Sequence, residues 1–292
     1  GWTDPLVLTA LLGGAAALIA FAIWELRTSQ PLLDVRIFRN RALSMSSLSL
    51  AVLFALMLGS FLVVIQLLQA VLGFSAVRAA AGLLPMAVGM MGLSPVAPKL
   101  AERFGLANVL TVGSVLMAVS FAWLGFADSS YMAVLPALIL LGIAMGLSMS
   151  PATEAITNAL PAEKQGLASA INDTVREAGS AMGIALIGSV LTAGYVDSIA
   201  NTAETLPTEL AEPVSEGIGQ AMFVASQLGA DGAPIVEAAR NAFLDGWTTA
   251  MFVAAAAAIV GGIAVRQLNR VGDADFAEEV LTLEHELELI AG

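Results

Sequence analysis

Long stretches without any charged residue dominate this chain, and short polar segments separate them. Each stretch has close to the ~20 residues that a helix needs to cross the hydrocarbon core of a bilayer, or more. The pattern therefore predicts an all-α polytopic membrane protein with seven spans. The uncharged stretches are residues 5–24, 42–77, 79–98, 104–127, 129–153, 178–196 and 246–265.

Three of these stretches also predict details of helix geometry. The second is longer than one crossing, so its span should occupy about residues 43–67, with a turn near Gly73. The third contains several glycines and prolines, which predict a kinked and closely packed helix. Gly142 and Gly146 in the fifth have the spacing that lets two helix backbones approach, and we favour ordinary packing over a substrate role for them.

Two polar segments lie outside the predicted spans. Residues 197–245 form a long exterior loop, in which residues 214–228 and 234–244 have apolar positions at helical spacing and should form two short amphipathic helices. Residues 269–292 alternate acidic and apolar side chains, which is typical of a surface helix or a disordered tail.

Composition agrees with a membrane protein and limits the chemistry. The chain is 58% hydrophobic, only 12% charged, and has a mean hydropathy of +0.85. Its net charge of −12 comes mostly from the exterior loop and the tail, so the charge gives no reason to expect a nucleic-acid partner. There is no cysteine, and the single histidine, His285, lies in the acidic tail, so we expect no metal site and no cofactor.

The distribution of Lys and Arg predicts the orientation in the membrane. One side of the predicted spans carries most of the basic residues, and the other side carries only Arg78 and Arg240. The richer side should be cytoplasmic, which leaves the acidic C-terminal tail inside and suits a multi-pass protein of the plasma (inner) membrane. Its basic residues are Arg27, Arg36, Arg39, Arg41, Lys99, Arg103, Lys164, Arg266 and Arg270.

The main cluster of charges near the spans lies around the sixth of them. Asp173, Arg176 and Glu177 share one helical face, and Glu154 follows the fifth uncharged stretch. An acid and a base at this spacing can pair and leave a second carboxylate that responds to protonation during transport. Because residues 178–196 almost cross the core alone, we favour a cytoplasmic gate or packing cluster over a proton relay at the midplane.

Several motifs resemble one family. Residues 148–195, beginning SMSPATEAI and continuing LPAEKQGLASAINDTVREAGSAMG, closely resemble the penultimate-helix region of the fourteen-helix drug:proton antiporters of the major facilitator superfamily. The GW before the first span, the E-L-R at its end and the linker QPLLDVRIFRNRA also resemble that family. The resemblance covers essentially the whole chain, is specific at family level and says almost nothing about substrate.

The resemblance implies an architecture and a function. Residues 1–42 would be one extra transmembrane helix with its basic linker, and residues 43–268 the C-terminal six-helix bundle of a major facilitator fold. The N-terminal bundle would be the missing partner and would carry the principal proton carboxylate. The implied function is proton-coupled multidrug efflux by alternating access, with small amphiphilic or cationic substrates, protons and the lipid bilayer as partners.

The resemblance also implies two groups of site residues. KLAERFG looks like a degenerate C-terminal copy of the family's cytoplasmic motif, with Glu102 where an aspartate is more usual and with Lys99, Arg103 and Gly105 in place. Flexible methionines and aromatic rings would suit a pocket for varied apolar cations, although methionine is also an ordinary packing residue. The cavity candidates are Phe54, Met57, Phe61, Met86, Met90, Met145, Met149 and Asn172, of which Asn172 has helix bridging as the favoured alternative.

Two other functions remain open from the sequence. A dedicated exporter of one endogenous metabolite or antibiotic could use the same fold. A membrane-embedded enzyme or an assembly subunit is a further alternative, because seven spans alone do not specify transport. An enzyme is disfavoured because no His, Cys or paired intramembrane acids converge on one site.

The predicted orientation can be tested with single cysteines in a cysteine-free version of the full-length protein. A membrane-impermeant maleimide added to intact cells should modify Asp231→Cys in the exterior loop. It should leave Asp275→Cys in the tail unmodified until the membrane is permeabilised. Labelling of the tail in intact cells would contradict the orientation.

Overall fold

Helices make up every regular element in the part of the chain that the structure describes. The computed structural model describes the backbone of residues 5–28, 31 and 35–291, and their side chains except those of residues 6 and 269–291. The helices there are α1 (Pro5–Arg27), α2 (Arg41–Gln66), α3 (Ala76–Gly82), α4 (Leu84–Leu93), α5 (Ala97–Phe104), α6 (Leu106–Phe126), α7 (Tyr131–Asn158), α8 (Gln165–Ala203), α9 (Thr208–Glu216), α10 (Ile218–Leu228) and α11 (Ala233–Ala291).

Seven helical stretches among the described residues are long and apolar enough to cross a membrane, which confirms the predicted number of spans. They are Val7–Arg27, Arg41–Val71, Ala76–Leu93, Leu106–Phe126, Tyr131–Asn158, Ala162–Ala203 and Ile218–Leu268.

Short polar side chains define the beginnings of several helices. Asn40, Ser75 and Ser130 precede α2, α3 and α7, and the side-chain oxygen of each accepts a hydrogen bond from the backbone N–H three residues later. At the other end of α2, the helix widens into a π-helical turn, Leu67–Val71. The chain then reverses at Gly73, whose φ of 69° suits glycine, so the predicted turn is found.

The third span is interrupted, as its glycines and prolines predicted. Helix α3 ends at Gly82, and α4 begins at Leu84 with Pro85 in its first turn, where the missing N–H costs nothing. The Tyr131 hydroxyl of α7 donates a hydrogen bond of 3.1 Å to the carbonyl of Gly82 and so satisfies a backbone group at the break.

Two helices are longer than the sequence pattern predicted. Helix α8 runs unbroken from Gln165 to Ala203, well beyond residues 178–196 on both sides. The prediction of a separate short helix over residues 234–244 is wrong, because these residues are the first turns of α11. The helix continues through Gly246. This glycine packs against the backbone of Leu191 in α8, where a Cβ on residue 246 would lie 2.5 Å from the carbonyl oxygen of Leu191. The α11 backbone stays helical through the tail, whereas the His285 side chain lies outside the described residues.

Helix α2 is the central element of the bundle. It packs most extensively against α8 and also contacts α11, α7 and α6. The other helices form a continuous series of neighbours, in which α4 contacts α7, α7 contacts α6, α6 contacts α11 and α11 contacts α8. Helix α1 is peripheral, because the most apolar window of its span has no buried residue. This arrangement agrees with a six-helix bundle and one additional helix.

Glycines bring α2 and α8 into backbone contact. A Cβ on Gly59 of α2 would lie 2.5 Å from the carbonyl oxygen of Gly183, and Cβ atoms on Gly179 and Gly183 of α8 would collide with the backbone of Ala51 and Ala55. Such contacts matter in lipid, where van der Waals packing replaces the hydrophobic effect as the force between helices.

The glycine pair of the fifth span plays the packing role that we favoured. Gly142 and Gly146 of α7 pack against the backbone of Met86 and Met90 in α4, and a Cβ at either position would clash there. The two helices therefore approach closely along two turns.

Gly183→Ala should lower the free energy of unfolding of the full-length protein by about 1–3 kcal/mol, because the new methyl group meets the Ala55 backbone. Gly188→Ala is the matched control on the same helix, since nothing lies within 4 Å of its Cβ position. The control should be neutral or more stable by up to ~1 kcal/mol from helix propensity. Equal stabilities of both variants in detergent unfolding would contradict the packing.

Candidate functional site

A groove between α2 and α8 brings together several of the predicted site residues. It has a volume of about 670 Å³, and α8 contributes its charged side chains. The predicted cavity residue Phe54 lies in the same groove as Asp173, Arg176 and Glu177, so this one cavity candidate shares a site with three of the predicted gate residues. The lining residues are Phe54, Leu58, Asp173, Arg176, Glu177, Ser180, Ala181 and Ile184.

Arg176 lies against an aromatic ring within the span. Its guanidinium carbon is 4.4 Å from the centroid of the Phe54 ring, and Phe54 is itself 6% exposed. At 1.5 Å rise per residue, Phe54 lies about 20 Å along α2 from Arg41, so the guanidinium is not at the level of the basic end of α2. A cation on an aromatic face gains about 0.5–2 kcal/mol, more where water is scarce, which offsets part of the cost of a charge in the membrane.

The two carboxylates of the groove remain accessible. Asp173 and Glu177 are exposed, one helical turn apart on α8. The described residues contain no ion pair between Arg176 and either carboxylate, so the acid–base pair that the spacing allows is not formed. The two acids therefore present negative charge along one face of the groove.

A chain of polar contacts joins this face of α8 to α7. The Thr153 hydroxyl donates to the Asn172 amide oxygen at 3.5 Å, and the Asn172 amide nitrogen donates to Asp173 at 3.4 Å. Asn172 therefore bridges two helices, as the favoured interpretation predicted. Glu154 follows Thr153 on α7 and is exposed.

The residues of the KLAERFG motif lie at a surface turn. Lys99, Glu102 and Arg103 are exposed on the short helix α5, which rests on the bundle through the fully buried Ala97. Gly105 connects α5 to α6 with φ of 87°, a left-handed conformation that explains why glycine occupies this position.

Hydrogen bonds tie the turn after this motif to the last span. Asn108 donates to the carbonyl of Phe104 at 2.9 Å, and Arg266 of α11 donates to the Asn108 side-chain oxygen at 3.0 Å. Sequence reasoning assigned Arg266 only to the orientation of the chain, because the partner of a long-range hydrogen bond cannot be read from spacing.

The other cavity candidates do not share the α2–α8 groove. Phe61 and Met86 line a separate groove of about 320 Å³ between α2 and the α3–α4 region. Met145 is 3% exposed and belongs to the core, which is the packing role considered for methionine. The remaining methionine candidates, Met57, Met90 and Met149, are partly buried against that core.

Sequence reasoning missed a second cavity between α2 and α8, towards the other end of the bundle. This cavity of about 490 Å³ is lined by Gln66, Gln69, Thr192, Tyr195 and Glu216, together with apolar residues. The Tyr195 hydroxyl donates to the carbonyl of Val214 at 2.9 Å and so joins the cavity wall to α9. The sequence signal that could have indicated this cavity is the pair of amides, Gln66 and Gln69, three residues apart in an otherwise apolar stretch.

Over the described part of the chain, no group of His, Cys, Asp and Glu residues is arranged to hold a metal ion. The α2–α8 groove itself is lined by one guanidinium, two carboxylates and an aromatic ring.

Comparisons with known proteins agree on one family. A family model described as Major Facilitator Superfamily matches residues 1–184. The chain is 33% identical to the methyl viologen resistance protein SmvA of Salmonella typhimurium over 87% of this chain and 52% of SmvA. It is 30% identical to the multidrug efflux pump LfrA of Mycolicibacterium smegmatis over 88% of this chain and 53% of LfrA.

A third relative is the uncharacterized MFS-type transporter YhcA of Bacillus subtilis, which is 33% identical over 66% of this chain and 36% of YhcA. The chain thus spans about half the length of SmvA and LfrA and about a third of YhcA.

The contact between Arg176 and Phe54 can be measured by a double-mutant cycle in the purified full-length protein. Arg176→Gln and Phe54→Leu should show a coupling energy of about 0.5–2 kcal/mol in stability. Arg78, which lies 4.1 Å over Phe74 but is exposed, provides a comparison pair with a smaller expected coupling. Additive effects of Arg176→Gln and Phe54→Leu would contradict the contact.

Proposed function

Because this chain belongs to the Major Facilitator Superfamily, we propose that it forms the C-terminal half of a proton-coupled multidrug exporter. The names of SmvA and LfrA, a methyl viologen resistance protein and a multidrug efflux pump, support export of small cationic or amphiphilic compounds. In this proposal the exporter works by alternating access, with two bundles rocking around a central site.

The groove between α2 and α8 is the main structural support for this proposal. Asp173 and Glu177 supply negative charge at an accessible surface, and Phe54 and Leu58 supply an apolar wall. An organic cation can satisfy both at once, with its charge near a carboxylate and its apolar body against α2. No single polar partner fixes its orientation, which suits a site that accepts varied substrates.

In this proposal the same groove would couple the binding of substrate to that of protons. Protonation of Asp173 or Glu177 removes the charge that attracts a cation, so proton and cation oppose each other's binding in the groove. Two ligands that weaken each other's binding have a positive, unfavourable coupling free energy, which is what an antiporter requires between substrate and proton. The principal proton carboxylate is assigned to the N-terminal bundle, and Asp173 and Glu177 act as the coupling groups of this half.

Arg176 has a positioning and gating role in this mechanism. The Arg176 guanidinium, which lies over the Phe54 ring, is in the same groove as both carboxylates. Movement of α8 against α2 would separate the Arg176 guanidinium from the Phe54 ring, because the two residues belong to different helices. The Thr153–Asn172 bridge would couple this movement to α7, on which Glu154 follows Thr153.

The exposed faces of the bundle support a second bundle as partner. In their most apolar windows, the α3–α4 span is only 11% buried and the α8 span 28%, whereas the α6 span is 50% buried. The N-terminal bundle would cover α8 and the groove, and lipid would cover the remainder. The end of the bundle that carries Arg41, Lys99, Arg103 and Arg266, called the basic end below, would face the cytoplasm in the plasma membrane.

Arg176→Ala in the full-length protein should abolish export while leaving membrane insertion intact. The measurement is uptake of a fluorescent lipophilic cation into inverted membrane vesicles under an imposed pH gradient, normalised to the amount of inserted protein. Arg78→Ala is the matched control, because Arg78 also lies on a phenylalanine ring but at the other end of the bundle. Normal efflux by Arg176→Ala, or equal loss in both variants, would contradict the role of Arg176.

A further inference from the structure

The second cavity between α2 and α8, at the end of the bundle opposite the basic end, takes no part in the mechanism proposed above. Its volume of about 490 Å³ is within the range of small-ligand sites. We propose that it binds organic cations that carry N–H donors, such as primary ammonium or amidinium compounds. It is called the amide cavity below, and its polar lining side chains are Gln66, Gln69, Thr192, Tyr195, Glu216 and Gln220.

Three separate parts of the chain build the amide cavity. The end of α2 and the π-helical turn Leu67–Val71 supply Gln66 and Gln69, which are both exposed. Helix α8 supplies Thr192, and the junction of α9 with α10 supplies Glu216. Because π-helical turns are rare and often occur at functional sites, the α2 wall is a reasonable place for a ligand. Polar side chains that are distant in sequence thus meet around one space.

Hydrogen bonds fix two walls of the amide cavity. Nε of Arg240 in α11 donates to the carbonyl oxygen of Ala70 at 3.1 Å, which holds the π-helical turn. The hydroxyl of the buried Tyr195 donates to the carbonyl oxygen of Val214 at 2.9 Å, which attaches α9 to α8. A ligand that enters a cavity with walls already held in place has less conformational freedom of the protein to remove.

Polar side chains of the amide cavity are available to a ligand. Within the part of the chain that the structure describes, no hydrogen bond or ion pair is formed by the side chains of its three glutamines, of Thr192 or of Glu216. Their amide, hydroxyl and carboxylate oxygens are acceptors, which can receive hydrogen bonds from the N–H groups of a ligand. A quaternary ammonium has no N–H group and cannot use these acceptors.

Glu216 decides the sign of the charge that the cavity prefers. It is the only charged side chain among the described residues that line the cavity. The N-terminus of α10, which begins at Ile218, opposes it with about half a positive charge. Arg240 does not line the cavity, and it lies one helical turn after Glu237 on α11. The full negative charge of Glu216 exceeds that of the helix end, so a cation is favoured over an anion.

The remaining lining of the amide cavity suits the apolar body of an amphiphilic cation. Leu62, Ile218 and the buried ring of Phe243 are part of it. Ile184 lines both the amide cavity and the α2–α8 groove, so the two sites follow one another along the same pair of helices. The groove has two carboxylates, whereas the amide cavity has one carboxylate and three amides. Binding in the amide cavity requires neither transport nor a pH gradient.

The test is protection of a thiol in a purified, cysteine-free version of the full-length protein in detergent. Gly219→Cys places a thiol in the lining, at a position where a Cβ meets nothing within 4 Å. 4-Phenylbutylammonium should slow the reaction of this thiol with a maleimide severalfold, whereas its N,N,N-trimethyl analogue at the same concentration should slow it much less. Gln227→Cys is the control thiol, because Gln227 is exposed on the same helix but does not line the cavity.

Two sets of variants of the Gly219→Cys protein test the two walls. Glu216→Gln should raise the concentration of 4-phenylbutylammonium that gives half-protection about tenfold. Glu212→Gln is the matched control, because Glu212 is exposed on α9 but does not line the cavity. Gln66→Leu/Gln69→Leu should raise the same concentration severalfold, so the test does not depend on one variant.

Asp173→Asn/Glu177→Gln, in the same Gly219→Cys protein, separates the amide cavity from the α2–α8 groove. Protection by 4-phenylbutylammonium should be unchanged in this variant, whether or not the groove binds a transported substrate. Loss of protection would assign the effect to the groove and would overturn a separate site.

The other outcomes are equally decisive. Equal protection by the trimethyl analogue would overturn the requirement for N–H donors. Unaltered half-protection in Glu216→Gln, or an equal change in Glu212→Gln, would overturn the assignment of the cation to Glu216. Protection of Gln227→Cys to the same extent as Gly219→Cys would overturn binding within the cavity.

Discussion

The backbone contact between α2 and α8 is the constraint on which the candidate site depends. Within lipid, an apolar side chain gains little by leaving the bilayer for a helix interface, so close packing has to hold the helices together. Gly59, Gly179 and Gly183 provide that packing by letting the two backbones meet without intervening side chains. The register that results brings Phe54 of one helix beside Arg176 of the other, and the groove with its two carboxylates follows from that placement.

The site also shows how a charge is retained within an apolar bundle. Arg176 has the face of an aromatic ring beside its guanidinium, which is a weaker partner than a carboxylate but leaves Asp173 and Glu177 without a fixed counter-charge. An ion pair between Arg176 and one of these carboxylates would neutralise the negative charge of that carboxylate. In the function that we propose, this arrangement leaves the two acids available to a mobile cation or a proton.

Much of the fold follows from local rules, and the departures have identifiable causes. The seven spans and the interruption near Pro85 follow from run length and from the chemistry of glycine and proline. The extent of α8 could not be predicted in the same way, because a charged residue ends an uncharged run without ending a helix. The beginning of α11 was predicted too late for the same reason, because Asp245 interrupts the uncharged run but lies within the helix.

The composition of the site was less predictable than the fold. Helical spacing placed Asp173, Arg176 and Glu177 on one face, and the structure keeps them together in one groove. Their relation to Phe54 depends on the register between two helices that are distant in sequence, and no local pattern encodes that register. The same reason explains why the hydrogen bond from Arg266 to Asn108 was not foreseen.

The accessibility of the α2–α8 groove, with and without substrate, tests whether substrate binds between these two helices. Ala181 lines the groove and is exposed, so Ala181→Cys in a cysteine-free full-length protein should react with a membrane-impermeant thiol reagent applied at the basic end. A transported lipophilic cation should slow that reaction, whereas Glu163→Cys, on the exposed turn before α8, should react at the same rate with and without substrate. A reaction at Ala181→Cys that proceeds equally with and without the cation would contradict a substrate site between α2 and α8.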